Sequence, residues 1–440
     1  MTLLLFFEWL NESLLALPAT ITFLTAGIIF TFYTGFAQIY RLPRCIQLIK
    51  EGLSASATTK KSGFTINRFH ALFTAMATTI GTGNVVGPTI AIYTGGPGAL
   101  FWLIVYIFFA AATKFVEVSF AVATRIKTQD GKIIGGPMQY LRFVHPWLAY
   151  WYIAVMTILF IGFSAIQSNT LAEIFAQEHV PHWFTGAVLS SIVFLVLYGG
   201  IERIGLVASR LVPCMFILYV SFAVLILLKD LQELQRAFYL MFAHAFQPAA
   251  MAGGFLGATV FQAMRSGTYK GVFISEAGLG TSSIAHALAD VHNPQDQGIL
   301  AMFSMVADAL LSLLSGLLAL VTGVWLNGEF RSTFIYEAFK LNAPFVGQIA
   351  LLVAITLFVV TTIIGNSFNG IQSFASITYY KGVRWYIALI LITVFLGALV
   401  KSRLAWAIME TLMTCVAIPH LIGLLFLAFR RKNLIKNRVY

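Results

Sequence analysis

The chain has 440 residues, 59% of them hydrophobic and 10% charged, with a mean hydropathy of +0.85; a water-soluble domain carries about 25% charged residues, so that class is excluded. The formal net charge of +11 does not mark a nucleic-acid binder, because the Lys and Arg residues are scattered over short loops and a tail, as in membrane proteins. Cys45, Cys214 and Cys415 lie far apart with no CxxC pair, which points to free thiols instead of a disulfide framework or a zinc site.

Met1 to Leu17 lacks a basic n-region, carries Glu8 and Glu12, and is read as uncleaved. About 20 apolar residues cross a bilayer core, and apolar windows divide the chain into about eleven spans, so the expected class is an all-α polytopic membrane protein. The first span, residues 13–40, is followed by Arg41, Arg44, Lys50, Lys60, Lys61 and Arg68, which puts the amino terminus outside. The second, about 69–94, is interrupted by Ala77-Thr78-Thr79-Ile80-Gly81-Thr82-Gly83-Asn84, where each glycine lowers helix propensity by roughly 1 kcal/mol. Unwound backbone at membrane depth survives only when buried in protein or lining a cavity, which makes this stretch the first candidate site. Gly95-Gly96-Pro97-Gly98 turns the chain into the third span, about 99–123, where Lys114 and Glu117 stand three apart on one face and are read as a structural pair. The fourth span, about 148–174, carries Gln167 and Asn169; the fifth ends at Gly199-Gly200, and the sixth covers about 211–228.

A polar connection, Lys229 to Arg236, leads to a glycine-rich seventh span, about 253–288, containing Gly253, Gly254, Gly257, Ser266, Gly267, Gly271 and Ser275-Glu276-Ala277-Gly278-Leu279-Gly280. A second break is expected near residue 270, with Glu276 capping freed amides there; Asp308, on the eighth span, is a further intramembrane ionisable group. Spans eight to eleven follow at about 298–326, 346–378, 385–400 and 404–429. Nineteen of the 28 Lys and Arg residues then fall inside and six outside, which places the carboxyl terminus in the cytoplasm. Two breaks five spans apart in opposite orientation are the pattern of inverted repeats, whose discontinuous helices meet near the midplane. Residues 69–228 and 253–429 would be the two five-helix repeats, with 13–40 as an accessory helix.

Several short motifs carry a resemblance to a known family. They are Gly81-Thr82-Gly83-Asn84, Gly95-Gly96-Pro97-Gly98-Ala99-Leu100-Phe101-Trp102, Ala112-Thr113-Lys114-Phe115-Val116-Glu117, Gly135-Gly136-Pro137-Met138, Gly199-Gly200-Ile201 with Leu211-Val212-Pro213, and Lys270-Gly271-Val272-Phe273 with Ser275-Glu276-Ala277-Gly278-Leu279-Gly280 and Ile284-Ala285-His286-Ala287. Over about residues 68–370 the sequence resembles the alanine or glycine:cation symporters, the sodium:alanine symporter family. The resemblance implies a leucine-transporter-like (LeuT) inverted-repeat fold with one extra amino-terminal helix, in the plasma membrane (bacterial inner membrane). It implies symport of a small neutral amino acid, with a coupling cation and no other cofactor. It also implies substrate contacts at Thr79, Gly81, Gln167, Phe273 and Thr362. Asn366, in Gly365-Asn366-Ser367, stands where the family commonly has Trp, and the family's Phe-Ser-Asn-Glu is here Phe273-Ile274-Ser275-Glu276, which removes another amide. A wider, more polar pocket follows, suited to a larger or amide-bearing amino acid such as glutamine, with Asn366 in contact.

Spacing argues for the cation. Thr361 and Thr362 are adjacent hydroxyls, the Phe358 carbonyl lies one turn earlier, and carbonyls at about Thr78 and Gly81 complete an oxygen shell fit for sodium. There is no Walker A loop, HExxH or GxSxG, and the carboxylates are scattered, so no enzyme is expected. The expected partners are a neutral amino acid, sodium and the lipid bilayer, without nucleic acid. A proton-coupled transporter and a non-transporting amino acid sensor of the same fold are the alternatives.

Overall fold

A computed structural model describes residues 3–55, 66–128, 133–246, 260–291, 293–326, 333–400, 402–431 and 433–436. In hydrocarbon no water reaches unpaired N–H and C=O groups, so the spanning segments are helices that close their own bonds. Helix α1 (Leu3–Tyr33) contains a π turn at Leu10–Leu15 and is followed by amphipathic α2 (Leu42–Ala55). The second span is two helices, α3 (Arg68–Thr79) and α4 (Thr82–Gly95). Helix α5 (Gly98–Thr124) leads into a small antiparallel pair, β1 (Ile126–Lys127) and β2 (Ile133–Ile134), with Ile126 opposite Ile134. Next come α6 (Pro146–Ala176), α7 (His182–Leu197), α8 (Gly200–Leu227) and α9 (Leu231–Phe246). The seventh span is again divided, into α10 (Val260–Ser275) and α11 (Thr281–Ala287). Helices α12 (Pro294–Thr322), α13 (Phe334–Asn342), α14 (Val346–Thr378), α15 (Val383–Gly397) and α16 (Ser402–Arg430) complete the chain.

Each predicted span meets a helix or a divided helix, and seven of these helices are long and apolar enough to cross a bilayer unaided. Helices α2, α9 and α13 were not expected. The polar connection from Lys229 forms the start of α9, whose Ala237, Met241 and Ala245 recur at helical spacing and face the protein, packing on α5 and α12. Helix α13 buries Phe334, Ile335, Ala338 and Phe339 in the same way.

The second break also lies elsewhere than expected. Gly253, Gly254 and Gly257 fall outside the described residues, whereas Ser266, Gly267 and Gly271 stay helical in α10. Their small size serves packing: a methyl on Gly267 would lie 2.7 Å from Leu103 N, and one on Gly271 would lie 2.6 Å from the Tyr106 ring, both on α5. This small-xxx-small spacing lets two membrane helices approach closely without unwinding either. Among the described residues of this span, the chain leaves the helical path at residues 276–280.

Candidate functional site

The first break is two residues long. Ile80 (φ −84°, ψ 95°) and Gly81 (φ −149°, ψ −159°) are extended, while Gly83 and Asn84 already belong to the first turn of α4. Any residue adopts the Gly81 conformation, so space is what demands glycine: a methyl there would collide with Thr362 Oγ1 and lie 3.2 Å from both Thr362 Cβ and Cγ2. The loose polar groups find side chains. Asn84 Oδ1 accepts from the Gly81 N–H at 3.0 Å and its Nδ2 donates to Asp308 Oδ1 at 3.0 Å. Gln167 Oε1 accepts from the Thr82 hydroxyl at 2.7 Å and the Thr82 N–H at 3.2 Å, and Thr362 Oγ1 donates to Ile80 O at 3.1 Å. The Gly81 amide, expected to face a substrate carboxylate, is thus held by Asn84, and Gly83 is the residue of this turn that borders the cavity.

The second break is more heavily braced. Glu276 (φ +52°), Gly278 (φ +91°) and Gly280 (φ +76°) are left-handed, a conformation that costs a non-glycine residue such as Glu276 about 1–2 kcal/mol. Backbone carbonyls at this depth need donors, and all from Ser275 to Leu279 have one. Lys114 Nζ donates to Ser275 O (2.9 Å), Leu279 N–H to Glu276 O (3.1 Å), Tyr106 OH to Ala277 O (2.8 Å) and Tyr152 OH to Leu279 O (2.8 Å). His420 Nδ1 lies 2.7 Å from Gly278 O, so that nitrogen carries the proton, and Nε2 accepts from Tyr140 OH at 2.6 Å. Glu117 Oε1 accepts the Gly278 N–H at 2.8 Å, and the Gly280 N–H also points to this carboxylate.

Two expectations are corrected here. Among the described residues Lys114 and Glu117 form no ion pair with each other; from one face of α5 they hold opposite sides of the break. Lys114 meets the carbonyl end of α10 and Glu117 the amides that lead into α11, as the helix dipoles favour. Glu276 does not cap those amides. Its carboxylate accepts from the Thr281 hydroxyl and faces the Thr78 hydroxyl.

Between the breaks lies a small cavity of about 10 Å³, at the threshold for one water. Thr78, Thr79, Gly83, Phe163, Gln167, Phe273, Glu276, Thr362 and Asn366 line it, which brings together the expected Thr79, Gln167, Phe273, Thr362 and Asn366, whereas Gly81 stands behind Thr362. Phe163 and Glu276 were not singled out as pocket residues; Phe163 gives no sequence signal, being one of many aromatics. Asn366 is buried, and neither its Oδ1 nor its Nδ2 has a hydrogen-bond partner. Thr361 and Thr362 diverge. Thr361 Oγ1 donates to Leu357 O (2.8 Å) and Phe358 O (3.0 Å) and lies 3.3 Å from Met215 Sδ, while Thr362 Oγ1 faces the first break. Asn169 lies apart, joining α6 to the end of α15 through the carbonyls of Gly397 and Val400.

The chain just before α3 is fastened to the chain after α11: Ile66 N–H donates to Leu288 O and Asp290 N–H to Ile66 O, at 3.0 and 2.9 Å. Arg125 adds bonds to the carbonyls of Ala287, Ala289 and Val291. A small cavity lined by polar and aromatic side chains and set between two helix interruptions suits a solute carried through the membrane, and it does not resemble a catalytic centre.

Known proteins agree with that geometry. A profile of the Sodium:alanine symporter family matches residues 2–438. The sodium/alanine symporter AgcS of Methanococcus maripaludis is 32% identical over 418 residues, 92% of this chain and 90% of that protein. The probable sodium/glutamine symporter GlnT of Bacillus subtilis is 28% identical over 426 residues, 95% of this chain and 87% of its own. Among solved structures, MhsT in complex with L-phenylalanine superimposes with a TM-score of 0.61 at 13% identity, over 83% of this chain and 90% of that one. At that identity the likeness is one of fold, the LeuT type with two discontinuous helices. The chain is therefore a multi-pass membrane transporter, not an enzyme, and it belongs to the sodium:alanine symporter family.

Proposed function

We propose that the chain imports a neutral amino acid, amide-bearing and closer to glutamine than to alanine, together with sodium by alternating access across the plasma membrane. The observation that carries the substrate reading is Asn366. A buried amide with both polar atoms unpaired costs about 1–3 kcal/mol per group, and a substrate side-chain amide would satisfy donor and acceptor together. The substrate backbone fits the polar wall. Gln167 and the Gly83 region meet its carboxylate, and Glu276, the one carboxylate among the lining residues, meets its ammonium. A relative named as a probable sodium/glutamine symporter supports the reading, beside one named for alanine.

Sodium is a second cargo. The carbonyls that end α3 have no helical N–H donors ahead of them and carry the negative end of the helix dipole. The Ile80 carbonyl, which sequence reasoning passed over in favour of Thr78 and Gly81, lies beside the Thr362 hydroxyl. Together with the Phe358 carbonyl these oxygens make a neutral cage suited to a hard monovalent ion; Thr361 contributes less because its hydroxyl faces Met215. The repeats at residues 69–228 and 253–429 would rock about the breaks, with the amino terminus outside and the carboxyl terminus in the cytoplasm.

Uptake of labelled amino acids into proteoliposomes, with sodium and proton gradients imposed separately, tests this. Glutamine is expected to compete best and uptake to follow the sodium gradient. Alanine outcompeting glutamine by about tenfold or more (~1.4 kcal/mol) overturns the substrate. Full uptake on a proton gradient without sodium overturns the coupling.

A further inference from the structure

Around Phe273 the cavity wall is backed by a chain of side-chain contacts. Phe273 walls the cavity, with Phe163 edge-on against it (centroids 5.5 Å apart, planes at 86°) and Trp406 packed on it at 4.5 Å. Lys270 Nζ lies 4.4 Å from the centre of the Trp406 ring and 2.5 Å from Glu410 Oε1. One ammonium thus binds an indole face and a carboxylate at once. The spacing follows from the helices: Lys270 and Phe273 are three apart on α10, and Trp406 and Glu410 four apart on α16, so each pair shares a face. The pair is largely withdrawn from solvent, with side-chain exposures of 8% for Lys270 and 24% for Glu410, which strengthens it relative to a surface pair. Further from the cavity, the same two helices share a Thr414 to Tyr269 hydroxyl contact at 3.4 Å.

We propose that Lys270, Trp406 and Glu410 form a latch that holds Phe273 across the cavity, and that its release is the step that admits the amino acid. The cavity of about 10 Å³ cannot take an amino acid unless a wall moves, and a swing of Phe273 toward Trp406 requires that ring to give way. Trp406 is in turn fixed by the ammonium on its face. Breaking one ion pair frees the stack without disturbing any backbone bond, in contrast to the segments flanking α3 and α11, where Ile66, Leu288 and Asp290 are joined through main chain. The three are positioning residues that act through Phe273, and the proposal rests on this cavity being the substrate site.

The test places an Asn366→Cys reporter in a chain whose Cys45, Cys214 and Cys415 are replaced by alanine, and follows its reaction in intact cells with a membrane-impermeant thiol reagent. Glu410→Gln and Lys270→Met are expected to speed labelling by about tenfold and Trp406→Phe by several-fold. The exchange of Lys270→Glu with Glu410→Lys should bring the rate back toward the parent, which loss of packing alone would not do. Gel filtration identifies variants that fold, and Trp406→Phe, which keeps an aromatic ring, serves where a charge variant does not. Labelling within twofold of the parent in the folded variants overturns the latch. Because labelling needs no amino acid, glutamine and alanine binding to the protein with native Asn366 is measured separately by calorimetry. Fast labelling after unlatching, with no binding of either amino acid, leaves the latch standing and removes the substrate reading.

Discussion

The contact between Gly81 and Thr362 gives the most direct test of the first break. Gly81→Ala adds one methyl at a position whose extended φ and ψ alanine adopts without strain, so backbone conformation contributes nothing. The methyl meets Thr362 Oγ1, with Cβ and Cγ2 behind it at 3.2 Å. Thr362 can retreat only by giving up its bond to Ile80 O, worth about 0.5–1.5 kcal/mol. Overpacking in a close-packed interior costs a further ~1–3 kcal/mol. The sum, roughly 1.5–4.5 kcal/mol, lowers the population of the closed arrangement by about 10- to 1,600-fold relative to arrangements in which α3 and α14 have separated. Uptake in proteoliposomes should fall accordingly, and the thermal midpoint followed by fluorescence gel filtration should drop. Gly81→Ala combined with Thr362→Ala removes the obstruction and should regain most of the midpoint but not the uptake, because the hydroxyl assigned to the proposed cation site is gone. A Gly81→Ala protein that transports at more than half the parent rate, with an unchanged midpoint, refutes the reasoning.

Three further outcomes follow from the same geometry. Asn366→Ala should reduce the preference for glutamine over alanine by about tenfold in competition uptake, since one amide pair worth ~1–2 kcal/mol is lost; an unchanged ratio removes Asn366 from the pocket. Thr362→Ala should raise the sodium concentration for half-maximal uptake by about tenfold or more, while Thr361→Ala, whose hydroxyl faces Met215, should raise it much less; equal shifts contradict the divergence of the two side chains. In the loop after α6, the Tyr336 hydroxyl, with Lys340 beside it, holds the Glu178 carboxyl below its ordinary value. A lowered folded-state value means that its stabilising contribution is present above the unfolded value near ~4.3 and is lost as the pH falls through the lowered one. The midpoint difference between the parent and Glu178→Gln should therefore be small but measurable at pH 7 and shrink as the pH falls below ~4.3; a difference that grows on acidification is the wrong sign.

Hydropathy made the spans legible, because lipid demands long apolar helices and α12, α14 and α16 read as such without help. It was blind to α9 and α13, which pair an apolar face with a polar one and are too short to register in a spanning window. Glycine misled at the second break. Gly267 and Gly271 are small for the sake of α5, while Gly278 and Gly280 are glycines for their positive φ, and the two uses look alike in a string of letters. Polar residues within apolar helices were better guides: Gln167, Thr362 and Asn366 meet in one cavity. What sequence could not supply was distance. Trp406 stands more than 130 positions from Phe273, and the Ile80 carbonyl is identified only by the hydroxyl that faces it.

Lys114 and Glu117 show how much that distance decides. Three apart on a membrane helix, they invite the reading of an ion pair that neutralises itself, and an ion pair is indifferent to exchanging its members. The clamp is not. Lys114 donates to the carbonyl that closes α10, and Glu117 accepts amides that open toward α11, so the exchange of Lys114→Glu with Glu117→Lys sets a carboxylate against Ser275 O and an ammonium against the Gly278 N–H. Two charge-assisted bonds worth about 1.5–3 kcal/mol each are lost, and each is replaced by a repulsion at the wrong end of a helix dipole. A loss of at least ~3 kcal/mol is expected, enough to abolish uptake and to remove the folded peak in gel filtration, with Glu117→Gln, which keeps an acceptor for the Gly278 N–H, far milder. If the exchanged protein folds and transports like its parent, the two residues serve each other and not the break, and the bracing of residues 275–280 must rest on Tyr106, Tyr152 and His420 alone.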